Sequence, residues 1–174
     1  GAIDEEDFMD RARLLCSLGQ TVMISNFKEY YRLAEYFSEY TKKKIRLTMG
    51  VNNLIEIFNE KYYRNLSGGI LEAFGKLFFK NLKVYLYPII DPETGNIINS
   101  NTLRVNPRLK ELYNFFKYND KVVDILDYNT EDMKIFSRDI LEQIKKGEKG
   151  WENKLPEGVS KLIKTKKLFG FKSQ

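Results

Sequence analysis

Apolar positions in this chain recur at two spacings, and the switching between them is the first guide to its architecture. Over residues 4–18, Phe8, Ala12, Leu15 and Leu18 fall three or four apart behind an acidic first turn, with Gly19 beyond, which predicts a helix. Residues 21–25 form a short β-rich run that predicts a strand, and residues 26–41 return to helical spacing through Phe27, Tyr30, Leu33, Ala34 and Phe37. The order then repeats. Residues 42–50 read as a second strand ending at Gly50, and 51–63 as a helix with Leu54, Ile55 and Phe58 on one face.

The stretch "SGGILEAFGKLF" predicts a helix over 67–78, capped by Ser67, burying Ile70, Leu71, Phe74, Leu77 and Phe78 and exposing a Glu72–Lys76 pair. Gly68 and Gly69 each cost roughly 1 kcal/mol relative to Ala inside a helix, so something must favour them. Close backbone packing or an unusual turn is the expected reason; an anion on their N–H groups is the alternative. Residues 82–90 are almost unbroken apolar and aromatic, as in a strand buried on both faces, with Pro88 expected at its end. Residues 91–96 are a turn, and 97–105 fit either a hairpin arm or a loop. A helix over 106–118 is capped by Asn106 with Pro107 in its first turn, and 120–128 predict a fourth strand. A long helix over 129–146 follows, capped by Thr130, with Met133, Phe136, Ile140 and Ile144 inward and Gly147 as its stop, and a short helix lies within 155–171.

Strands alternating with helices imply an α/β fold: a three-layer, Rossmann-like, mostly parallel sheet of about four strands with helices on both faces. Residues 1–174 are expected to form a single domain, with 147–174 as a Lys-rich segment packed on it. The absent initiator Met and the leading Gly1 suggest a C-terminal fragment of a larger protein.

Charge changes this picture little. The chain carries +5, and residues 145–174, with nine Lys against three Glu, hold +6 of it. A solvated helix face and tail is the expected reading, an acidic partner the alternative, and nucleic acid is not expected. Tyr30, Tyr31, Tyr36 and Tyr40, near Arg32 and Lys42 to Lys44, spread around their helix and are expected to pack and snorkel.

Histidine is absent, which removes the usual neutral-pH base and the commonest transition-metal ligand, and with it Ser-His-Asp and Cys-His catalysis within this chain. Cys16 is the only cysteine, so no internal disulfide forms and no zinc, haem or iron–sulfur site is expected; a reducing, cytoplasmic setting and a buried Cys16 are. No window approaches the roughly 20 apolar residues of a membrane helix. Neither G-x-x-x-x-G-K-[ST] nor a G-x-G-x-x-G after a strand occurs.

In open parallel sheets ligands bind beyond the carboxyl ends of the strands. That rule nominates Ser25, Asn26 and Phe27; Gly50, Asn52 and Asn53; Tyr87, Pro88 and Asp91; and Asp127, Tyr128 and Asn129, with Gly68 and Gly69 as a separate pair. Brought together, they would form a polar, aromatic-edged cleft for a small ligand or nucleotide. The carboxylate pairs Asp91 with Glu93 and Glu131 with Asp132 sit in turn and helix-start sequences, where structural roles are expected.

The stretches "VMISNFKEYYRLAEYFSEYT", "NEKYYRNLSGGILEAFGKLF", "KVYLYPIIDPETG" and "WENKLPEGVSKLIKTKKLFGF" together resemble a C-terminal domain of larger, poorly characterised bacterial proteins. Those proteins are often labelled nicotinate-nucleotide (nicotinamide mononucleotide) adenylyltransferase and sometimes TonB-dependent receptor. The receptor label conflicts with so helical a chain. The transferase label implies an H-x-G-H motif, which a chain without histidine cannot carry, so the resemblance implies an accessory domain and transfers no catalytic residue. The expected function is ligand or nucleotide binding beside other domains of a parent protein. The alternative is interaction, assembly or homo-oligomerisation through aromatic faces such as Phe74, Phe78 and Phe79 with Tyr85.

Overall fold

The computed structural model describes residues 4–79 and 81–172. Chain contacts gather into two units: a sheet unit of residues 26–128, and a helical unit of residues 1–25 with 129–174. The helical unit opens with α1 (Glu5–Ser17). The sheet unit then runs α2 (Tyr30–Tyr40), β1 (Ile45–Gly50), α3 (Val51–Ile57), α4 (Gly69–Leu77) and β2 (Leu82–Tyr87). It continues through a small hairpin of β3 (Ile89–Ile90) and β4 (Ile97–Ile98) to α5 (Lys110–Tyr118) and β5 (Val122–Asp124). The helical unit resumes with α6 (Ser137–Lys146) and α7 (Val159–Lys166).

The fold is α/β with a parallel sheet, and its order is β1-β2-β5. It has three strands where four were expected. The β-rich run 21–25 stays irregular among the described residues, with Met23 48% and Ile24 56% exposed. Extended propensity alone does not make a strand; a ladder partner must satisfy its N–H and C=O groups.

Side-chain alternation sets the sheet's two faces. Leu82, Val84 and Leu86 of β2, Met49 of β1 and Val122 of β5 are buried, and they share one core with residues of α2, α3, α4 and α5. The alternate positions Arg46, Thr48, Lys83, Tyr85, Tyr87 and Val123 are exposed or half-buried and lie outside that core. The expectation of helices on both faces therefore fails within the sheet unit. Strand order follows chain order, so right-handed crossovers place both connections on the same face.

Aromatic rings organise that core. Phe74 meets Phe58, Tyr63, Phe78 and Phe116 edge-on, with centroids 4.8, 6.0, 5.6 and 5.5 Å away. Phe74 and Phe78 are thus interior residues, not the association surface the sequence suggested.

Several predicted elements are real but shorter. The helix over 51–63 ends at Ile57, and a 3-10 turn takes Glu60–Tyr63. Pro88 separates β2 from β3, and residues 97–98 pair antiparallel with 89–90, which makes the start of 97–105 a hairpin arm and the rest loop. Asn106 caps the 3-10 turn Pro107–Leu109 that leads into α5, its side chain accepting from the Arg108 N–H at 3.1 Å, while Leu109 holds the N-cap position of α5 itself. The helix over 129–146 divides: a 3-10 turn spans Asp132–Lys134, α6 begins at Ser137, and Thr130 caps nothing. Phe136 precedes α6 at 52% exposure, away from the buried face. Gly147 ends α6 with φ 70°.

The helical unit packs Ile140, Ile144, Trp151, Val159, Ile163 and Leu168 together, so the Lys-rich end contributes core as well as charge. From α1 it is Leu14 that joins this cluster, while Phe8, Leu15 and Leu18 are 43, 44 and 39% exposed. Cys16 is exposed, contrary to expectation. Asp10 turns inward and meets Arg13 at 3.3 Å.

Candidate functional site

A doubly wound sheet offers a crevice where its strand order reverses. The order β1-β2-β5 never reverses, so that crevice does not form and the nominated residues do not converge on one. Ser25 and Asn26 are exposed and follow an irregular run, not a strand. Gly50 ends β1 and is the N-cap position of α3, with Asn52 exposed in its first turn. Tyr87 ends β2 and lies opposite Gly50 in the ladder, the one pair of nominated strand ends brought side by side.

Asp91 is occupied by its own turn. Its carboxylate accepts from the Glu93 N–H at 3.1 Å and the Thr94 hydroxyl at 2.7 Å, while its backbone bonds Gly95 and Asn96. The Thr94 bond first, then the Glu93 N–H, hold its pKa below the ordinary value, with Arg104 adding a smaller pull. Asp127 lies exposed beyond the end of β5, and Asn129 accepts from the Glu131 N–H at 3.0 Å in a local turn. Glu131 pairs with Lys134 at 2.7 Å.

Gly68 and Gly69 have a local explanation. The Glu72 carboxylate reaches back to accept the Gly68 N–H at 3.0 Å, so an anion already sits where a phosphate was considered. Gly68, not Ser67, holds the N-cap position, and a Cβ there would stand 2.8 Å from the Glu72 Cβ. Gly69 adopts φ +56°, a left-handed conformation that a β-carbon disfavours. The Gly68 bond and Lys76 lower the Glu72 pKa, and Lys76 sits 3.3 Å from both Glu72 and Glu35.

The sheet unit instead gathers polar groups around the end of β5. Asp124, which closes that strand, accepts the Ser100 N–H at 2.8 Å and the Ser100 hydroxyl at 2.7 Å. The buried Tyr113 of α5 donates its hydroxyl to the Ser100 carbonyl at 2.6 Å. Burial first, then the charge of Asp124, push the Tyr113 pKa up, so this phenol stays a donor at neutral pH. The network pins the loop after β4 to the strand end and to α5.

Beside it lies a hollow of about 450 Å³ that takes in Ser100, Asn101, Arg104, Lys110, Asn114 and Lys117. Among the described residues, none of these three cations forms an ion pair. Three cations thus share the lining with Leu103, Val105, Pro107 and Tyr113, and Asn101 and Asn114 bring amide groups able to donate or accept. Sequence reasoning left these residues unmarked, since Arg104, Lys110 and Lys117 meet only when the loop after β4 folds onto α5. The dense polar run "NSNT" over 99–102 was the visible signal.

Two further hollows differ in chemistry. One of about 250 Å³ sets Glu29 and Glu56 against Tyr62 and Tyr63, with Tyr62 donating to Glu56 at 2.6 Å. The other, about 400 Å³ in the helical unit, is apolar apart from Arg11 and Ser137, and includes Leu14, Leu15, Ile140 and Phe169. Among the described residues no group of three or more His, Cys, Asp or Glu could hold a metal ion, and no helix is long and apolar enough to cross a membrane.

No family model, curated protein or solved structure matches this chain.

Proposed function

We propose that the sheet unit is a non-catalytic binding module for a small anionic ligand, with a phosphate ester such as a mononucleotide as the class to test first. The observation that supports it most is the hollow beside β5, whose lining includes Arg104, Lys110 and Lys117, none of them in an ion pair among the described residues. Such a site attracts an anion electrostatically, and Arg104 can grip a phosphate through two parallel N–H bonds. Asn101 and Asn114 supply neutral polar contacts for a sugar or base. The resemblance to proteins labelled nicotinate-nucleotide adenylyltransferase supports the choice of nucleotides as the ligand class. Catalysis is not part of the proposal: the lining of the hollow includes no carboxylate, and Asp124 beside it is already bonded twice by Ser100.

Calorimetric titration with inorganic phosphate, AMP, ATP and NAD tests this reading. Binding of at least one phosphorylated compound is expected, and Lys110→Ala with Lys117→Ala should weaken it by about tenfold or more, the loss of two charge-assisted hydrogen bonds. Binding that survives the double substitution, or no binding by any of the four, would refute it.

A further inference from the structure

The sheet face opposite the one that packs on α2, α3, α4 and α5 has an unusual set of side chains. In the β1–β2 ladder Arg46 stands directly opposite Lys83, Thr48 opposite Tyr85, and Gly50 opposite Tyr87, and Val123 of β5 flanks Tyr85 on its other side. Like charges directly opposite one another destabilise a ladder, so Arg46 beside Lys83 needs a reason. Lys121, just before β5, adds a third cation: its ammonium donates to the Phe79 and Leu82 carbonyls at 3.1 and 3.4 Å. Burial and then the charge of Lys83 lower its pKa, which places Lys83 close by. Among the described residues no carboxylate pairs with Arg46 or Lys83. The Asn81 side chain donates to the Lys42 carbonyl at 2.9 Å, tying the Lys42 to Lys44 run to the same end of the sheet.

Beyond this cationic row, along the same face, come two aromatic rings. Tyr85 and Tyr87 are alternate residues of the central strand, half-buried and outside the core. Arg46 lies over the Tyr85 ring, 5.8 Å from its centroid. Gly50 leaves open space next to Tyr87, since nothing lies within 4 Å of where its Cβ would be. Cations at one end and flat rings along the middle are the two parts of a single-strand platform: phosphates meet the charges and bases stack on the rings.

We propose that this face binds single-stranded nucleic acid, with the phosphates over Arg46 and Lys83 and two bases on Tyr85 and Tyr87. Charge complementarity selects a polyanion, and the rings select one whose bases are free to stack. A duplex hides its bases within its own stack, and an acidic protein has no use for the rings. The face is separate from the hollow beside β5 and does not depend on it.

Fluorescence anisotropy of labelled oligo(U) and oligo(dT), roughly ten nucleotides long, tests the proposal on the whole chain. Both single strands, or one of them, should bind, a duplex of the same length should not, and affinity should fall steeply as salt rises from about 50 to 200 mM. Tyr85→Ala with Tyr87→Ala should weaken binding about tenfold or more, whereas Phe at both positions should preserve it. Arg46→Glu, on an exposed position, should weaken binding and flatten its salt dependence even if the tyrosine variant does not fold. Lys110→Ala with Lys117→Ala should leave it unchanged, which separates this site from the one beside β5. No single-strand binding, equal affinity for duplex, tighter binding of polyglutamate, equal losses with Phe and Ala, or an unaffected Arg46→Glu would each overturn the proposal.

Discussion

The two units of this protein are built from the same kinds of residue, yet their hollows differ in chemistry. The sheet unit builds its core on Phe58, Tyr63, Phe74, Phe78 and Tyr113 while Tyr40, Phe115 and Tyr118 stay exposed, and its hollow beside β5 sets cations and amides among Leu103, Val105 and Pro107. The helical unit has a smaller core around Trp151, and its hollow is apolar, with Leu15 and Phe169 at its wall. A parallel sheet explains the contrast. Its hydrogen bonding fixes which residues face the core, so loops at strand ends are free to carry polar groups, whereas three short helices bury only part of their apolar stripes.

The largest test of this comparison is the core of each unit. Phe74→Ala should cost the sheet unit about 3–5 kcal/mol, because it removes a ring with four aromatic neighbours and leaves a cavity. Trp151→Ala should cost a similar amount, about 3–5 kcal/mol, in the helical unit. Trp151 is 1% exposed, with the Phe171 ring against it and the Lys164 ammonium 5.4 Å from its centroid. Urea unfolding followed by hydrogen exchange assigns each loss to its unit. If Trp151→Ala lowers protection equally in β1, β2 and β5, the two units unfold as one and the distinction between them fails.

A middle-sized effect tests whether the polar end of the sheet is built or incidental. Asp124→Ala leaves the Ser100 N–H and hydroxyl without their acceptor in a part-buried position, which should cost about 1–3 kcal/mol. Asp124→Asn keeps one acceptor oxygen and should cost less. Thermal melts of both variants check the order, and equal losses would mean that the strand end holds itself without Ser100. Because the same network positions the loop carrying Arg104, Asp124→Ala should also weaken any ligand bound beside β5.

These contrasts mark what could be read along the chain. Periodicity located α1, α2, β1, α4, β2, α5, β5 and α6, because each carries its apolar residues at the spacing of its own element. It failed where a partner decides the outcome. Residues 21–25 have strand-forming side chains but no ladder, and the apolar stripe of α1 stays largely exposed while Leu14 and Asp10 turn inward. The strand-end rule nominated loops that the sheet does not gather, for a related reason: a shared crevice depends on the strand order, and that order depends on long-range pairing that no local spacing records. Arg104, Lys110 and Lys117 look like ordinary surface charges until the loop after β4 is folded against α5. The glycine pair was legible in kind, since an unusual turn was expected, but Glu72 as its partner was not, because that reach-back depends on the helix starting one residue later than Ser67 suggests.

The smallest effect is electrostatic, and it compares one carboxylate from each unit. Glu72 in the sheet unit accepts from the Gly68 N–H and pairs with Lys76; Glu152 in the helical unit pairs with Lys164 at 2.6 Å and accepts the Gly150 N–H at 3.0 Å. The Gly68 bond leads in lowering one pKa, and the Lys164 bond leads in lowering the other. A carboxylate whose folded pKa is depressed stabilises fully above its unfolded value and loses that contribution as pH falls through the folded value. Wild-type melting temperature should therefore drop on the acid side, below about pH 4, and the gap between wild type and Glu72→Gln or Glu152→Gln should narrow there. Because both ion pairs lie at the surface with half-buried carboxylates, the gap at neutral pH should be small and should shrink in high salt. A gap that stays constant from neutral to acid pH would mean that Gln serves as well as Glu once charge is discounted. In that case the reach to Gly68 is a matter of hydrogen-bond geometry alone, and the helix start of α4 is held by shape, as the apolar core of the helical unit is.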